Sequence, residues 1–128
     1  MYFLQVQEYT NKALEIFWTI TKDRTMNKSD QQIRKWRNPR IKAIRNAIHV
    51  IGNMSIENIS KSHIVKFRDW WIGRIENEGI KPSTANKDLI HLKNVVQTVA
   101  DHFQLNNYYQ RIFRKITLSE NKEQVRKP

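Results

Sequence analysis

The sequence contains no cysteine, three glycines and three prolines in 128 residues. Without cysteine there is no disulfide scaffold, no thiol catalysis and no cysteine-based zinc module. So few turn-formers exclude a sandwich or barrel of many short strands and favour long helices with few loops. Apolar runs such as Ile16 to Ile20 and Trp70 to Ile72 fall far short of the roughly 20 residues a spanning helix needs, and no signal peptide precedes them. Carboxylates are also scarce. Twelve Asp and Glu stand against 23 Lys and Arg, a formal net charge of +11. That surplus argues for a polyanion partner, because a cation set beside a phosphate releases condensed counterions. Nucleic acid ranks above an anionic membrane, and both above charge that serves solubility alone.

What is present is helical patterning at a length that suits one domain. Residues 2 to 21 place Phe3, Val6, Tyr9, Ala13, Ile16, Phe17 and Ile20 at steps of three and four, an amphipathic stripe that needs a partner surface. Residues 21 to 30 read as a loop. Ser29 or Asp30 is placed to cap a helix through Ile33 and Trp36, which Pro39 either breaks or reopens from Asn38. Ile41, Ile44, Ile48 and Ile51 then recur at helical spacing until Gly52 and Asn53. Ser60 is a cap for a helix from Lys61 to about Asn77, with Ile64, Phe67, Trp71 and Ile75 inward and Gly79 as its left-handed terminator. Pro82, with Ser83 or Thr84 as cap, starts another helix whose apolar set is Ala85, Leu89, Leu92, Val96, Val99 and Phe103. Tyr108 to Ile116 makes a short helix, and the polar stretch from Ser119 to Pro128 reads as a linker.

Two basic surfaces stand out. Between Arg24 and Arg45 lie eight basic residues and one acid, among them Arg34, Lys35, Arg37, Arg40, Lys42 and Arg45 on or beside predicted helices, where stiff spacing matches a row of phosphates. A merely solvated helix face is the plainer account, and the scarcity of interleaved acids weighs against it. At the second surface, Lys81, Ser83, Thr84, Asn86 and Lys87 surround a helix start whose free amides attract anions, and His91 follows one turn later as a reader of base edges. Ordinary capping explains Ser83 or Thr84 equally well. Most of the 13 aromatics read as core, with Trp70 partly exposed. The four histidines show no metal-ligand spacing, and neither a glycine-rich phosphate loop, a nucleophile elbow nor an acidic pair is present, so no metal, cofactor or catalytic role is expected.

The stretches Asn58-Ile-Ser-Lys-Ser-His-Ile-Val-Lys-Phe-Arg-Asp-Trp-Trp and Ile80-Lys-Pro-Ser-Thr-Ala-Asn-Lys-Asp-Leu-Ile-His-Leu-Lys together resemble the core-binding domain of tyrosine recombinases, the phage integrase family. In that family an Ile-Thr/Ser helix start leads to an Arg-Asp-Trp-like helix, then a Ser-Pro-Ser-Thr-like cap opens a helix with Asn, a basic residue and a Leu-x-x-Leu core. These features correspond here to Ile59 and Ser60, to Arg68, Asp69 and Trp70, to Pro82, Ser83 and Thr84, and to Asn86, Lys87, Leu89 and Leu92. The resemblance covers residues 38 to 128 and implies an all-α, SAM-like bundle of four to five helices forming one jaw of a clamp around duplex DNA. Helices at about 39 to 51 and 83 to 103 would face the DNA, coinciding with the two basic surfaces. Residues 1–37 fall outside the motif and would form an N-terminal extension, either an additional helix against the core or an element contacting other protomers, with 38–116 the DNA-binding domain and 117–128 a linker toward a catalytic domain absent from this chain.

None of the family's catalytic residues has a counterpart, so Tyr2, Tyr9, Tyr108 and Tyr109 are not nucleophiles, and Asn107 stands where the family usually has proline. The resemblance therefore implies a non-catalytic module of a cytoplasmic, nucleoid-associated recombinase of bacterial or phage origin. Its partners would be double-stranded DNA and other recombinase protomers, with neither a membrane nor a small-molecule substrate. The rival readings are a stand-alone helix-turn-helix regulator, which predicts a dimer on a palindrome, and a helical protein- or membrane-interaction module using the stripe at residues 3 to 20. The clamp reading requires the two cationic helices to share a concave side and straddle the duplex, with no acid in the hollow between them.

Overall fold

Ser29 opens the longest helix through a reciprocal pair of bonds: its hydroxyl accepts from the Gln32 amide at 3.2 Å, while the Gln32 side chain accepts from the Ser29 amide at 2.9 Å. The helix that follows, α2, runs unbroken over Asp30–Ile51, with Pro39 inside it. Of the two fates expected of Pro39, neither occurs. An interior proline costs an isolated helix about 3 kcal/mol, and here packing on both sides offsets it. On the N-terminal side Trp36 stacks on Phe17, ring centroids 5.9 Å apart, and meets Trp18 at 5.4 Å. On the other side Ala43, Ile44 and Ala47 are buried.

In the computed structural model, residues 10–120 are described, apart from the side chains of residue 11 and residues 106–108. The remaining helices are α1 (Thr10–Ile20), α3 (Lys61–Glu78), α4 (Pro82–His102) and α5 (Asn106–Ile112), with single 3₁₀ turns at Lys22–Arg24 and Ile56–Asn58. The described residues contain no strand, so the domain is an all-α bundle. None of its described helices is long and apolar enough to cross a membrane. Phe3, Val6 and Tyr9 of the N-terminal stripe lie outside the described residues.

The core forms around α4, whose Leu89, Leu92, Val95, Val96 and Val99 are all essentially inaccessible. Helix α2 packs along it, α1 lies against both, α3 packs mainly on α2, and α5 closes the far end of α4. Gly79 ends α3 in the left-handed region at φ 72°, where a side chain would be strained. Two polar ties join distant segments: Tyr109 Oη donates to the Ile56 carbonyl at 2.6 Å, and both the amide and hydroxyl of Thr10 donate to the Met54 carbonyl at 2.9 and 2.8 Å.

At the expected boundary between residues 37 and 38, the described part of the N-terminal extension packs as a helix against the core. Helix α2 crosses that boundary without interruption, and Ala13 and Phe17 of α1 sit in the same core as Leu89 and Trp71. The reason is the apolar stripe itself, since Phe17 buried against Trp36 leaves α1 no separate surface to cover. At the other end the expected linker is fastened where it begins, because Leu118 and Glu120 are bonded to Asn86.

Candidate nucleic-acid interface

A helix advances about 100° per residue, so positions three and four apart line up on one face. Along α2 that rule aligns Arg34, Asn38, Lys42, Arg45 and His49, all exposed, with Lys35 beside them. Along α4 it aligns Thr84, Lys87, His91 and Asn94, of which only His91 is half-buried. Among the described residues the ion pairs are Lys42 with Asp88 and Arg74 with Glu78, leaving Arg34, Lys35, Arg45 and Lys87 without an acidic partner.

Asp88 joins the two rows. Its carboxylate is 2% exposed and accepts from Asn46 Nδ2 of α2 at 3.0 Å and from Trp71 Nε1 of α3 at 3.2 Å, while Lys42 Nζ stands 3.7 Å away. One buried acid thus draws three helices together and leaves the cations on the outside. The Lys42 ammonium also lies 5.4 Å from the Trp71 ring centre, and the Arg74 guanidinium 4.8 Å from it on the same indole. Because α2 and α4 are hydrogen-bonded to each other through Asp88, the two rows are joined into one face at that seam. The expectation of no acid between them is corrected: Asp88 lies there, buried and paired.

His91 sits half-buried on that face. Its Nδ1 is buried without a hydrogen-bond partner. Burial holds its pKa below the ordinary 6.5, with Arg40, Lys42 and Lys87 pushing in the same direction and Asp88 opposing. The imidazole is neutral at pH 7, and an anion placed over it would favour its protonation. These same influences put Arg40, Lys42 and Lys87 each within electrostatic reach of His91.

Farther toward the N-terminus of α2 the arginines lie on aromatic rings. The Arg37 guanidinium is 4.9 Å from the Trp18 ring centre and that of Arg40 is 4.3 Å from Trp36, with Arg40 Nη1 also donating to the Trp36 carbonyl at 2.6 Å. Burial and the nearby Arg24 lower the Arg40 pKa from its usual value. The Nε of each arginine is buried and unpartnered, so both serve the aromatic wall as much as the surface.

The expected helix-start surface is partly dismantled. Lys81, not Ser83 or Thr84, occupies the cap position of α4, no side chain caps it, and Pro82 takes the first turn, whose amides need fewer partners. Lys81 and Thr84 are exposed and Ser83 half-buried. Asn86 does not project to solvent. It is 6% exposed, accepts from the Leu118 amide at 2.7 Å, and donates to the Leu118 carbonyl and Glu120 Oε2, both at 2.9 Å. The cause is its register, which turns it toward the returning chain. Asn86→Ala is expected to release residues 117–120 to faster amide exchange while leaving duplex affinity within about twofold, since only the fastening of that segment is lost.

Asp88, Asn46 and Trp71 were missed as a polar centre. One signal was available: Ala85, Asp88 and Leu92 are spaced three and four apart, which puts the carboxylate in the core stripe, where an unpartnered charge is not tolerated. Among the described residues no group of three His, Asp or Glu side chains is arranged to hold a metal ion. Comparison with protein-family models, with curated proteins and with solved structures found no match for this chain.

Proposed function

We propose that this chain binds duplex DNA through the joined face of α2 and α4, as the DNA-gripping module of a tyrosine recombinase of the phage integrase kind. The observation that carries the reading is the pair of cationic rows locked side by side by Asp88, with Arg34, Lys35, Arg45 and Lys87 left without acidic partners. A rigid row of unneutralised cations suits phosphates, which position a protein on DNA without specifying sequence. The recombinase assignment rests further on the resemblance at Ser60, Arg68, Asp69, Trp70 and Pro82 to Leu92. In that role the protein acts in the cytoplasm beside other protomers on the same DNA.

Arg45→Ala and Lys87→Ala are expected to weaken duplex binding across all sequences. Each lost phosphate contact should flatten the dependence of log affinity on log salt by about 0.9, so the double variant should lose about 1.8. Fluorescence anisotropy with a labelled duplex at several salt concentrations measures both quantities. Unchanged affinity and slope would remove the α2 and α4 face as the interface.

His91 gives the reading a pH signature. A phosphate beside the imidazole raises its pKa, so protons are taken up on binding, and duplex affinity should rise as pH falls from 7.5 to 5.5, by up to about tenfold for each unit the pKa moves. His91→Gln is expected to remove that component. In the free protein the sign is opposite: the folded pKa is below the unfolded 6.5. The stability owed to neutral His91 is thus complete above about pH 6.5 and is lost as pH falls below it.

A further inference from the structure

At the opposite end of α3 from its acidic terminus, a cleft of about 340 Å³ opens between α3 and the end of α5 with the segment that follows it, lined by Lys61, Ile64, Val65, Arg68, Arg111, Arg114, Lys115 and Ile116. Among the described residues its lining holds five cations and no carboxylate. None of the five forms an ion pair with the described residues. Its floor is apolar: Ile64 and Ile116 are buried, while Val65 is 40% exposed, one of few large apolar side chains left so open.

The rim is held in place. Lys61 Nζ donates to the Arg114 carbonyl at 2.7 Å, and Arg68 Nε donates to the Ile116 carbonyl at 2.9 Å. These bonds use backbone acceptors, so both side chains are positioned while their charge stays uncompensated. Lys115 between those two carbonyls adopts φ 57°, a left-handed conformation that costs a lysine about 1 kcal/mol or more. Lys61 is also the first residue of α3, whose opening turn carries no acid, so an ammonium sits on the positive end of the helix dipole. Every charged side chain that lines this cleft among the described residues is a cation.

We propose that the cleft binds a short acidic segment of a partner protein, seating one apolar side chain on Ile64, Val65 and Ile116 while flanking carboxylates meet Arg68, Arg111 and Arg114. Guanidinium groups suit carboxylates because their parallel N–H donors engage both oxygens. A duplex does not suit this place, because its phosphates bring no apolar group to the uncovered floor. The cleft and the α2 and α4 face share no residue, so the inference does not depend on the DNA reading.

The test uses the full chain and a labelled peptide of Asp and Glu with one central Leu, against a copy with Ser at that position and against a labelled duplex. Two double variants of identical net charge are compared: Arg111→Glu with Arg114→Glu in the cleft, and Arg45→Glu with Lys87→Glu on the other face. All four positions are exposed, and circular dichroism checks that both variants fold. The Leu peptide is expected to lose affinity by about tenfold or more on replacement of Leu by Ser and in the cleft variant, and less than about twofold in the other. The proposal is overturned by equal losses in both variants, which means diffuse charge attraction, and equally by no effect of the Leu. It is also overturned if the peptide fails to bind at millimolar concentration, or if the duplex is what the cleft variant loses.

Discussion

Replacing Asp88 with alanine is expected to destabilise the protein by about 2–4 kcal/mol and to lower its melting temperature by about 10 °C or more. The carboxylate is nearly inaccessible, and its removal orphans Trp71 Nε1 in the core and Asn46 Nδ2 at its edge. Each abandoned buried donor costs about 1–3 kcal/mol, and Asn46 lies toward the lower end because it is half-buried. Lys42, whose side chain is 54% exposed, contributes little through its ion pair. Asp88→Asn retains an acceptor oxygen and is expected to lose only about 1 kcal/mol. Thermal melts of the two variants separate the hydrogen bonds from the charge, because equal destabilisation would assign the effect to the ion pair.

The same substitution distinguishes geometry from charge in DNA binding. Asp88→Ala removes an acid and raises net charge by one, so electrostatics alone would tighten the complex. If the spacing of the two rows matters, affinity instead falls, because nothing then fastens Asn46 and Lys42 of α2 to α4. Anisotropy measured at a temperature where the variant is folded decides between these outcomes. Tighter binding would mean that the duplex responds only to total charge.

Phe17→Ala is expected to cost about 3–5 kcal/mol, the range for deleting a buried phenyl ring. Phe17 is completely inaccessible, with its ring 5.9 Å from Trp36 and 5.6 Å from Trp18. Its loss removes the surface on which the indoles carrying Arg37 and Arg40 rest. If the segment before residue 38 instead served contacts with other protomers, the same substitution would leave the melting temperature of the isolated chain untouched. Chemical denaturation followed by tryptophan fluorescence is a direct measurement, since both Trp18 and Trp36 report on the contact. A loss below about 1 kcal/mol would show that α1 is not integral to the core.

The elements that were legible in advance share one property, which is that their signals are local. The apolar spacing of Ile64, Phe67 and Trp71, the terminator Gly79 and the stripe from Ala85 to Val99 each depend on neighbours within a few turns. Ser29 belongs with them, because its partner Gln32 is three residues away. Pro39 marks the limit of such reasoning. Its local effect is helix-breaking, and the opposing influence is contact with Phe17 and Trp18 from a helix earlier in the chain.

The candidate interface divides in the same way. Composition determined that a concentrated cationic surface exists near Arg24 to Arg45, and helical periodicity determined that Lys42 and Arg45, or Lys87 and His91, stand on common faces. Only the tertiary structure decided how those faces are joined. Asn86 and Asp88 are two residues apart and alike in size and shape, yet one fastens Leu118 from 32 positions away and the other takes Asn46 from 42. Which way each short polar side chain is used depends on what the rest of the chain brings to it. A bonding partner that arrives from across the fold leaves no periodicity behind, so the seam at Asp88 exists only once α2, α3 and α4 have packed.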